Sequence, residues 1–438
     1  MTAATEPSHD RLARRLGLGD AVAIGLAAMI GAGVFAVWAP AAQAAGAGLL
    51  IGLAIAAFVA FANASSSAQL AARYPDSGGA YRYGRERLGA WPGFFAGWSF
   101  VIGKTASCAA MALTAAAYLV PGDWQKPVAV IAVAALVGVN LLGVTRTARV
   151  GAVLVAGVLI VLAIVVAAGV VAASAGDGGG GTAFPDPLAP ADGGVYGILQ
   201  SAALIFFAFA GYARIATLGE EVREPARTIP RAIGIALLVV IVVYAAVGLA
   251  ALGSLGSREL AASDAPLADV VTAAGWLWAD PVVRIAAGVA ALGALLALLA
   301  GIGRTSLAMA RDRELPAPLA AVHPRFSVPY VAEIAVGLAV IALVLTVDLR
   351  GAIGFSSFGV LLYYFIANSA AVTQPRSERR VPRALSVAGA IGCLVLVATL
   401  PLVSIVAGVV VLAVGVLYRV VTRAARSRRR PAGQEPPA

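Results

Sequence analysis

Cysteine and histidine are scarce in this chain, with two residues of each among 438. Cys108 and Cys393 lie within apolar runs, where a thiol behaves as a small hydrophobic side chain. His9 and His323 lie outside these runs, and no spacing matches a zinc site or a HExxH motif. We therefore expect no metal site, no bound cofactor and no disulfide framework.

Charged residues are also few, at 12% of the chain, whereas 61% of the residues are hydrophobic. The mean hydropathy of +0.90 lies far outside the range of water-soluble domains. A net charge of +10 would suggest nucleic-acid binding in a soluble protein, but here the basic residues sit in short segments between apolar runs. The composition predicts an all-α, polytopic membrane protein that resides in the lipid bilayer and has no nucleic-acid partner.

Apolar windows of roughly 20 residues, the length that crosses about 30 Å of hydrocarbon, recur along the chain and predict 12 transmembrane helices. The first window can also be read as a cleavable signal peptide, but it is long enough to span. The predicted spans are 20–41, 46–70, 90–119, 127–143, 149–173, 195–217, 231–254, 282–308, 330–347, 351–373, 382–399 and 401–420.

The placement of the basic residues predicts the orientation. If residues 1–18 form a cytoplasmic N-terminal tail, most of the 32 lysines and arginines lie in inner segments, as the positive-inside rule requires. Both termini are then cytoplasmic, in a multi-pass protein of the cytoplasmic (inner) membrane. Residues 422–438 are predicted to form a basic, disordered cytoplasmic tail.

Two predicted spans contain glycines where a spanning helix gains nothing from them. The first span carries Gly31 and Gly33 in "AMIGAGVFAVWAP", and the sixth carries Gly211 in "FFAFAGYARIA". Because five spans separate their starts, two equivalent interrupted helices would run in opposite directions, which is the inverted-repeat signature of secondary transporters. The alternative is that the glycines simply allow close helix packing.

An interruption in mid-membrane exposes backbone groups that need a partner. The half-helix after Gly33 would offer N–H groups and a positive dipole end to a carboxylate, whereas carbonyls between Phe207 and Ala210 would accept an ammonium. An α-amino acid carries both groups. The sequence therefore predicts a small-molecule amino acid substrate.

Several motifs resemble those of the amino acid–polyamine–organocation (APC) permeases. They are "GDAVAIGLAAMIGAGVF", "YPDSGGAYRYGRERLG", "FFAFAGYARIATLGEEVREPARTIPRAI" and "GRTSLAMARDRELP", and they follow the family's order. The resemblance implies a LeuT-type core of two inverted five-helix repeats over residues 19–373, with discontinuous helices 1 and 6. It also implies that residues 374–421 form helices 11 and 12, and that transport proceeds by alternating access.

The resemblance also implies roles for individual residues. The unwound first helix, which holds the substrate carboxylate, corresponds to Ile30, Gly31, Ala32 and Gly33. Phe207 corresponds to an aromatic gate, and Ala210 with Gly211 to the sixth-helix break. Val158 stands where some proton-coupled members carry a lysine, and Ala213 where certain antiporters carry glutamate. These departures weigh against that mode of proton coupling and against an antiporter.

Polar residues inside the spans supply further candidates. Lys104 lies about 20 Å into the third span at helical rise. We assign it to coupling: it could titrate and couple transport to protons, substitute electrostatically for a bound sodium, or pair with a substrate carboxylate, and the alternative is a structural contact to a helix-end carbonyl. Glu220 and Arg223 are candidates for an inner gate, a solvated loop being the equal alternative. Ser357 is a candidate for the cavity, although a bond back into its own helix is the more common arrangement.

These features favour a proton-coupled symporter of amino acids or related amines, with an exchanger as the alternative. Sodium coupling is disfavoured because residues 281–303 of the eighth span contain no Ser or Thr. A channel and a membrane-embedded enzyme are also disfavoured, since the spans hold neither rings of polar residues nor a nucleophile–base pair. The sequence does not predict the oligomeric state or which amino acid is carried.

Overall fold

The computed structural model describes residues 16–74, 78–143, 148–175, 193–216, 218 and 221–428. Within these ranges the regular structure is helical, apart from one isolated bridge between Leu16 and Val222. The α-helices are α1 Leu18–Met29, α2 Gly33–Ala36, α3 Trp38–Ala45, α4 Leu49–Arg73, α5 Gly79–Leu88, α6 Ala90–Leu119, α7 Gln125–Leu141, α8 Ala148–Ala175, α9 Gly194–Phe209, α10 Ala213–Ala216, α11 Pro225–Ala262, α12 Pro266–Ala273, α13 Asp280–Arg311, α14 Tyr330–Thr346, α15 Leu349–Val372, α16 Arg383–Thr399 and α17 Leu402–Arg428.

Ten helical segments of the described chain are long and apolar enough to cross a membrane. Two further apolar helices, α14 and α16, have 17 residues each, which at helical rise is about 25 Å. They coincide with the ninth and eleventh predicted spans. The protein is thus an all-helical, multi-pass membrane protein.

The 30-residue helix α6 packs against α13 and α15. Small residues allow this: a Cβ placed on Gly103 of α6 would lie 3.0 Å from Cα of Gly359 on α15. Such close backbone approach is the usual way in which membrane helices gain packing energy. Side chains on this part of α6 therefore point into the protein.

The first and sixth predicted spans are both interrupted. Helix α1 ends at Met29, Ile30 has φ −85° and ψ 49°, and α2 begins at Gly33. Helix α9 ends at Phe209, followed by a 3-10 turn over residues 210–212 and the four-residue α10. The glycines thus mark real departures from α-helix.

Other boundaries differ from the sequence prediction. Helical structure after the first interruption continues to Ala45, and α11 reaches Ala262 across a non-helical Gly256 with φ 70°. Helix α17 continues to Arg428, so the boundary predicted at 422 for the basic tail falls inside a helix. Residues 1–15 and 429–438 lie outside the described chain.

Candidate binding site at the helix interruptions

The two interruptions lie directly against each other. A Cβ placed on Gly211 would lie 2.3 Å from the carbonyl oxygen of Ala28, and one on Gly33 would lie 2.7 Å from Cα of Ala208. No side chain fits at either position without moving the neighbouring backbone. The glycines therefore serve close packing and interruption together, and the two explanations that the sequence left open are not exclusive.

The hydroxyl of Tyr244 connects both interrupted helices. Its oxygen lies 2.6 Å from the carbonyl oxygen of Met29 and 3.1 Å from that of Ala208. The Tyr244 ring packs against Phe209, with centroids 5.1 Å apart. These carbonyls lie at or near the ends of α1 and α9, where backbone acceptors lack helical donors. Tyr244 is not among the residues that the sequence motifs single out, and its one signal is a phenol in the middle of an apolar span.

Two side chains converge on the carbonyl oxygen of Ala210. Lys104 Nζ and the Tyr364 hydroxyl each donate to it at 3.3 Å. A carbonyl oxygen has two lone pairs, so both are engaged. The Ala210 carbonyl oxygen, which the sequence predicts as an acceptor for the substrate ammonium, thus accepts a hydrogen bond from the ammonium of Lys104.

Ser357 is fully buried on α15, and its hydroxyl has no hydrogen-bond partner among the described residues. The neighbouring Ser356 contacts Ser107 of α6, with the two oxygens 2.6 Å apart. Ser357 therefore does not bond back into its own helix, which leaves a buried hydroxyl available.

The structure places most of the predicted site residues at the interruptions. Ala32 packs against Ala115 of α6 and Ala291 of α13. The other buried members are Ile30, Gly31, Gly33, Phe207 and Ala210, whereas Gly211 is half-buried.

Of the two predicted gate residues, the structure describes only Arg223. Arg223 follows α10 and has an exposed side chain, and its backbone N–H donates to the Leu16 carbonyl at 2.9 Å. Glu220 lies outside the described residues. The pairing of these two residues stays a prediction.

A cavity of about 240 Å³ opens next to α2 and α3. Phe35 and Ala36 line it on one side, about one turn beyond Ala32, and Thr114 and Tyr118 of α6 line another. The Tyr118 hydroxyl donates to the Phe35 carbonyl at 3.2 Å, which ties α6 to the half-helix after the interruption. The cavity therefore lies beside the half-helix that follows the first interruption.

A second polar cluster lies where α5, α6, α13 and α17 meet. Arg419 is 1% exposed, its Nη2 lies 2.6 Å from Glu314 Oε1, and its Cζ lies 4.5 Å from the ring centroids of Trp91 and Phe94. Arg85 also approaches Glu314, at 3.6 Å. We call these residues the Arg419 cluster.

The Arg419 cluster extends to Tyr81 and Asp312. The Tyr81 hydroxyl donates to Asp312 Oδ2 at 2.6 Å, and Arg85 Nη1 lies 3.3 Å from the same oxygen. Burial, and then the Asp312 carboxylate, raise the pKa of Tyr81. The phenol is therefore neutral and acts as a hydrogen-bond donor.

The interruption site contains a buried cation for which no acidic partner is described. No described acidic side chain forms an ion pair with Lys104, which is 8% exposed. Across the described ranges, no group of three or more His, Cys, Asp and Glu residues could hold a metal ion. The chemistry at the site consists of backbone dipoles, hydroxyls and one ammonium, which suits reversible binding of a small polar molecule.

Known proteins resemble this chain over nearly its whole length. The family model of amino acid permeases matches residues 16–423. An uncharacterized transporter of Mycobacterium tuberculosis is 57% identical over 422 residues, which cover 95% of this chain and 94% of that protein. A branched-chain amino acid permease of Bacillus subtilis is 28% identical over 445 residues, 94% of each chain. A chloroplastic cationic amino acid transporter of Arabidopsis thaliana is 29% identical over 387 residues, 83% of this chain and 66% of that protein.

Proposed function

Because the chain belongs to the amino acid permease family of the APC superfamily, we propose that it carries amino acids or related amines across the cytoplasmic membrane by alternating access. The observation that supports this most is the contact between two interrupted helices, where Gly211 lies against the Ala28 backbone. Helix ends facing each other at such a point offer donors and acceptors to a zwitterion. An ion channel would need rings of polar groups instead.

The proposed architecture is a LeuT-type fold with 12 spans and two inverted five-helix repeats. The ten long spans together with α14 and α16 would supply the 12. The interrupted helices would be equivalent elements of the two repeats, running in opposite directions because five spans separate them. Both termini would be cytoplasmic, as the positive-inside rule requires.

In the proposed binding mode the substrate carboxylate meets the amides of residues 31–33 at the start of α2. The substrate ammonium lies near the carbonyls at the end of α9, below Phe207, and the free hydroxyl of Ser357 contributes a further polar contact. The first amides of a helix have no intrahelical acceptor, so they are suited to an anionic group. Glu220 and Arg223 would close the site from the cytoplasmic side.

We further propose proton-coupled symport, with Lys104 as the coupling group. Its titratable neighbours are Cys108 one turn along α6 and Tyr364, which shares the Ala210 carbonyl. A change in charge at Lys104 would alter its bond to Ala210 and thus the sixth-helix interruption. Sodium coupling has little support, because α13 from residue 281 to 303 contains no Ser or Thr. Exchange of one amino acid or polyamine for another is the second candidate.

Transport in reconstituted liposomes tests this proposal. Radiolabelled amino acids are offered with and without an inward proton gradient, to the wild type, Lys104→Met and Lys126→Met. Lys126 is the matched control, since it also donates to a carbonyl at 3.3 Å but is exposed. We expect the gradient to accelerate uptake by the wild type and the control, and to have no effect on Lys104→Met.

Three outcomes would contradict parts of the proposal. If uptake by the wild type does not depend on the proton gradient, exchange of one substrate for another is favoured over proton symport. A full gradient response in Lys104→Met would remove Lys104 from coupling. The absence of transport or binding for every amino acid and amine tested would overturn the assignment of substrate class.

A further inference from the structure

Among the described residues only two basic side chains are buried, Lys104 and Arg419. Arg419 has a carboxylate partner, Glu314, at 2.6 Å. Lys104 has instead the neutral carbonyl of Ala210. The other buried acid of the described chain, Glu333, lies on α14 against Gly303 of α13. Lys104 therefore carries a charge that no carboxylate of this part of the protein balances.

An unbalanced charge in the membrane interior is costly, and such groups normally face a cavity or a ligand. The single acceptor of Lys104 is the first carbonyl of the sixth-helix interruption. Any cargo that binds between the interruptions will thus lie close to the ammonium. A negatively charged group of the cargo would compensate the charge of Lys104 there, and a positively charged group would add to it.

We propose, building on the amino acid transport proposed above, that Lys104 sets the charge selectivity of the site: it admits amino acids with neutral or acidic side chains and rejects cationic side chains. A zwitterion leaves the net charge of the occupied site at that of Lys104 alone. An acidic side chain neutralises this charge, whereas a cationic side chain doubles it. At about 6 Å and an effective dielectric constant of about 20, two like charges lower affinity by roughly a hundredfold.

The geometry also predicts what happens when the ammonium is removed. Methionine at position 104 keeps the length and apolar stem of lysine, while Tyr364 continues to donate to the Ala210 carbonyl. One lone pair of that carbonyl is then free to accept an ammonium from the cargo. Lys104→Met should therefore gain binding of lysine or arginine, a result that loss of a purely structural contact would not produce.

Binding to the purified full-length protein in detergent, with no proton gradient, tests this selectivity. Leucine, glutamate, lysine and arginine are titrated against thermal unfolding, and apparent affinities are compared. For the wild type and Lys126→Met we expect glutamate and leucine to bind at least about tenfold more tightly than lysine and arginine. For Lys104→Met the preference against lysine and arginine should shrink by at least about tenfold.

Lys104→Arg keeps the charge and should retain the wild-type order, and Lys104→Gln provides a second neutral variant if methionine disturbs folding. Equal binding of cationic and neutral amino acids by the wild type would overturn the proposal. So would an unchanged order of affinities in both neutral variants. If no amino acid of any class binds the wild type, the transport function fails first and the selectivity assignment fails with it.

Discussion

The two buried cations among the described residues, Arg419 and Lys104, lie in opposite environments. Arg419 lies against the rings of both Trp91 and Phe94, which are perpendicular to each other, and is paired with Glu314. Lys104 rests on one backbone carbonyl at the junction of two interrupted helices. Arg419 thus has a carboxylate partner, whereas Lys104 has none among the described residues. The difference separates the Arg419 cluster, where a buried charge is paired, from the interruption site, where the buried charge of Lys104 has no described acidic partner.

The largest expected effect is on the unfolding free energy that the Arg419 cluster contributes. Glu314→Gln leaves Arg419 buried without its carboxylate, which costs about 3–5 kcal/mol of unfolding free energy. We expect a marked fall in the thermal unfolding temperature of the purified protein. The control is Glu224→Gln, because Glu224 and Arg227 form an exposed pair at 3.6 Å, worth under about 1 kcal/mol. Equal unfolding temperatures of the two variants would show that the pair of Arg419 and Glu314 does not stabilise the fold.

The next effect concerns the contact between the interruptions. Gly211→Ala inserts a methyl group 2.3 Å from the Ala28 carbonyl oxygen, and overpacking of this kind costs about 1–3 kcal/mol. Because the backbones of α1 and the sixth-helix turn must separate, uptake in liposomes should be largely lost. Gly234→Ala is the control, since a Cβ at that position of α11 meets nothing within 4 Å. Normal uptake by Gly211→Ala would show that transport does not depend on this contact.

A smaller effect is expected from Tyr244→Phe. The substitution keeps the ring against Phe209 but leaves the carbonyls of Met29 and Ala208 without the hydroxyl. The cost should be about 1–2 kcal/mol, seen as a roughly tenfold loss of substrate affinity by thermal shift. Tyr196→Phe serves as the matched control, because Tyr196 is exposed and its hydroxyl lies 3.5 Å from its acceptor. Identical affinities of these two variants would refute a role of Tyr244 in holding the site.

The smallest expected effect completes the comparison of the two cations. Lys104→Met removes an uncompensated charge, and replacing buried charged groups by apolar ones is often neutral or stabilising. The unfolding temperature without substrate should therefore stay unchanged or rise, in contrast to Glu314→Gln. A fall of similar size in both variants would mean that Lys104 has a structural role.

The interruption at Gly31 and Gly33 was predictable because glycine in the middle of an apolar run is a local signal. The residues that complete the site were not. Tyr244 and Tyr364 are phenols in ordinary apolar spans, and only packing shows that their hydroxyls lie on Met29 and Ala210. The same holds for Glu314 and Arg419, which are 105 residues apart in the chain.

By itself the sequence determined that this is a helical membrane protein with interruptions in its first and sixth predicted spans, because hydropathy and glycine placement are local properties of the chain. Only the tertiary structure decided that these interruptions touch, that Lys104 lies on Ala210, and that Arg419 is paired while Lys104 is not. Partner choice depends on which helix faces meet, and in an apolar chain many pairings satisfy the same pattern. The charge balance of the interior is therefore a property of the fold.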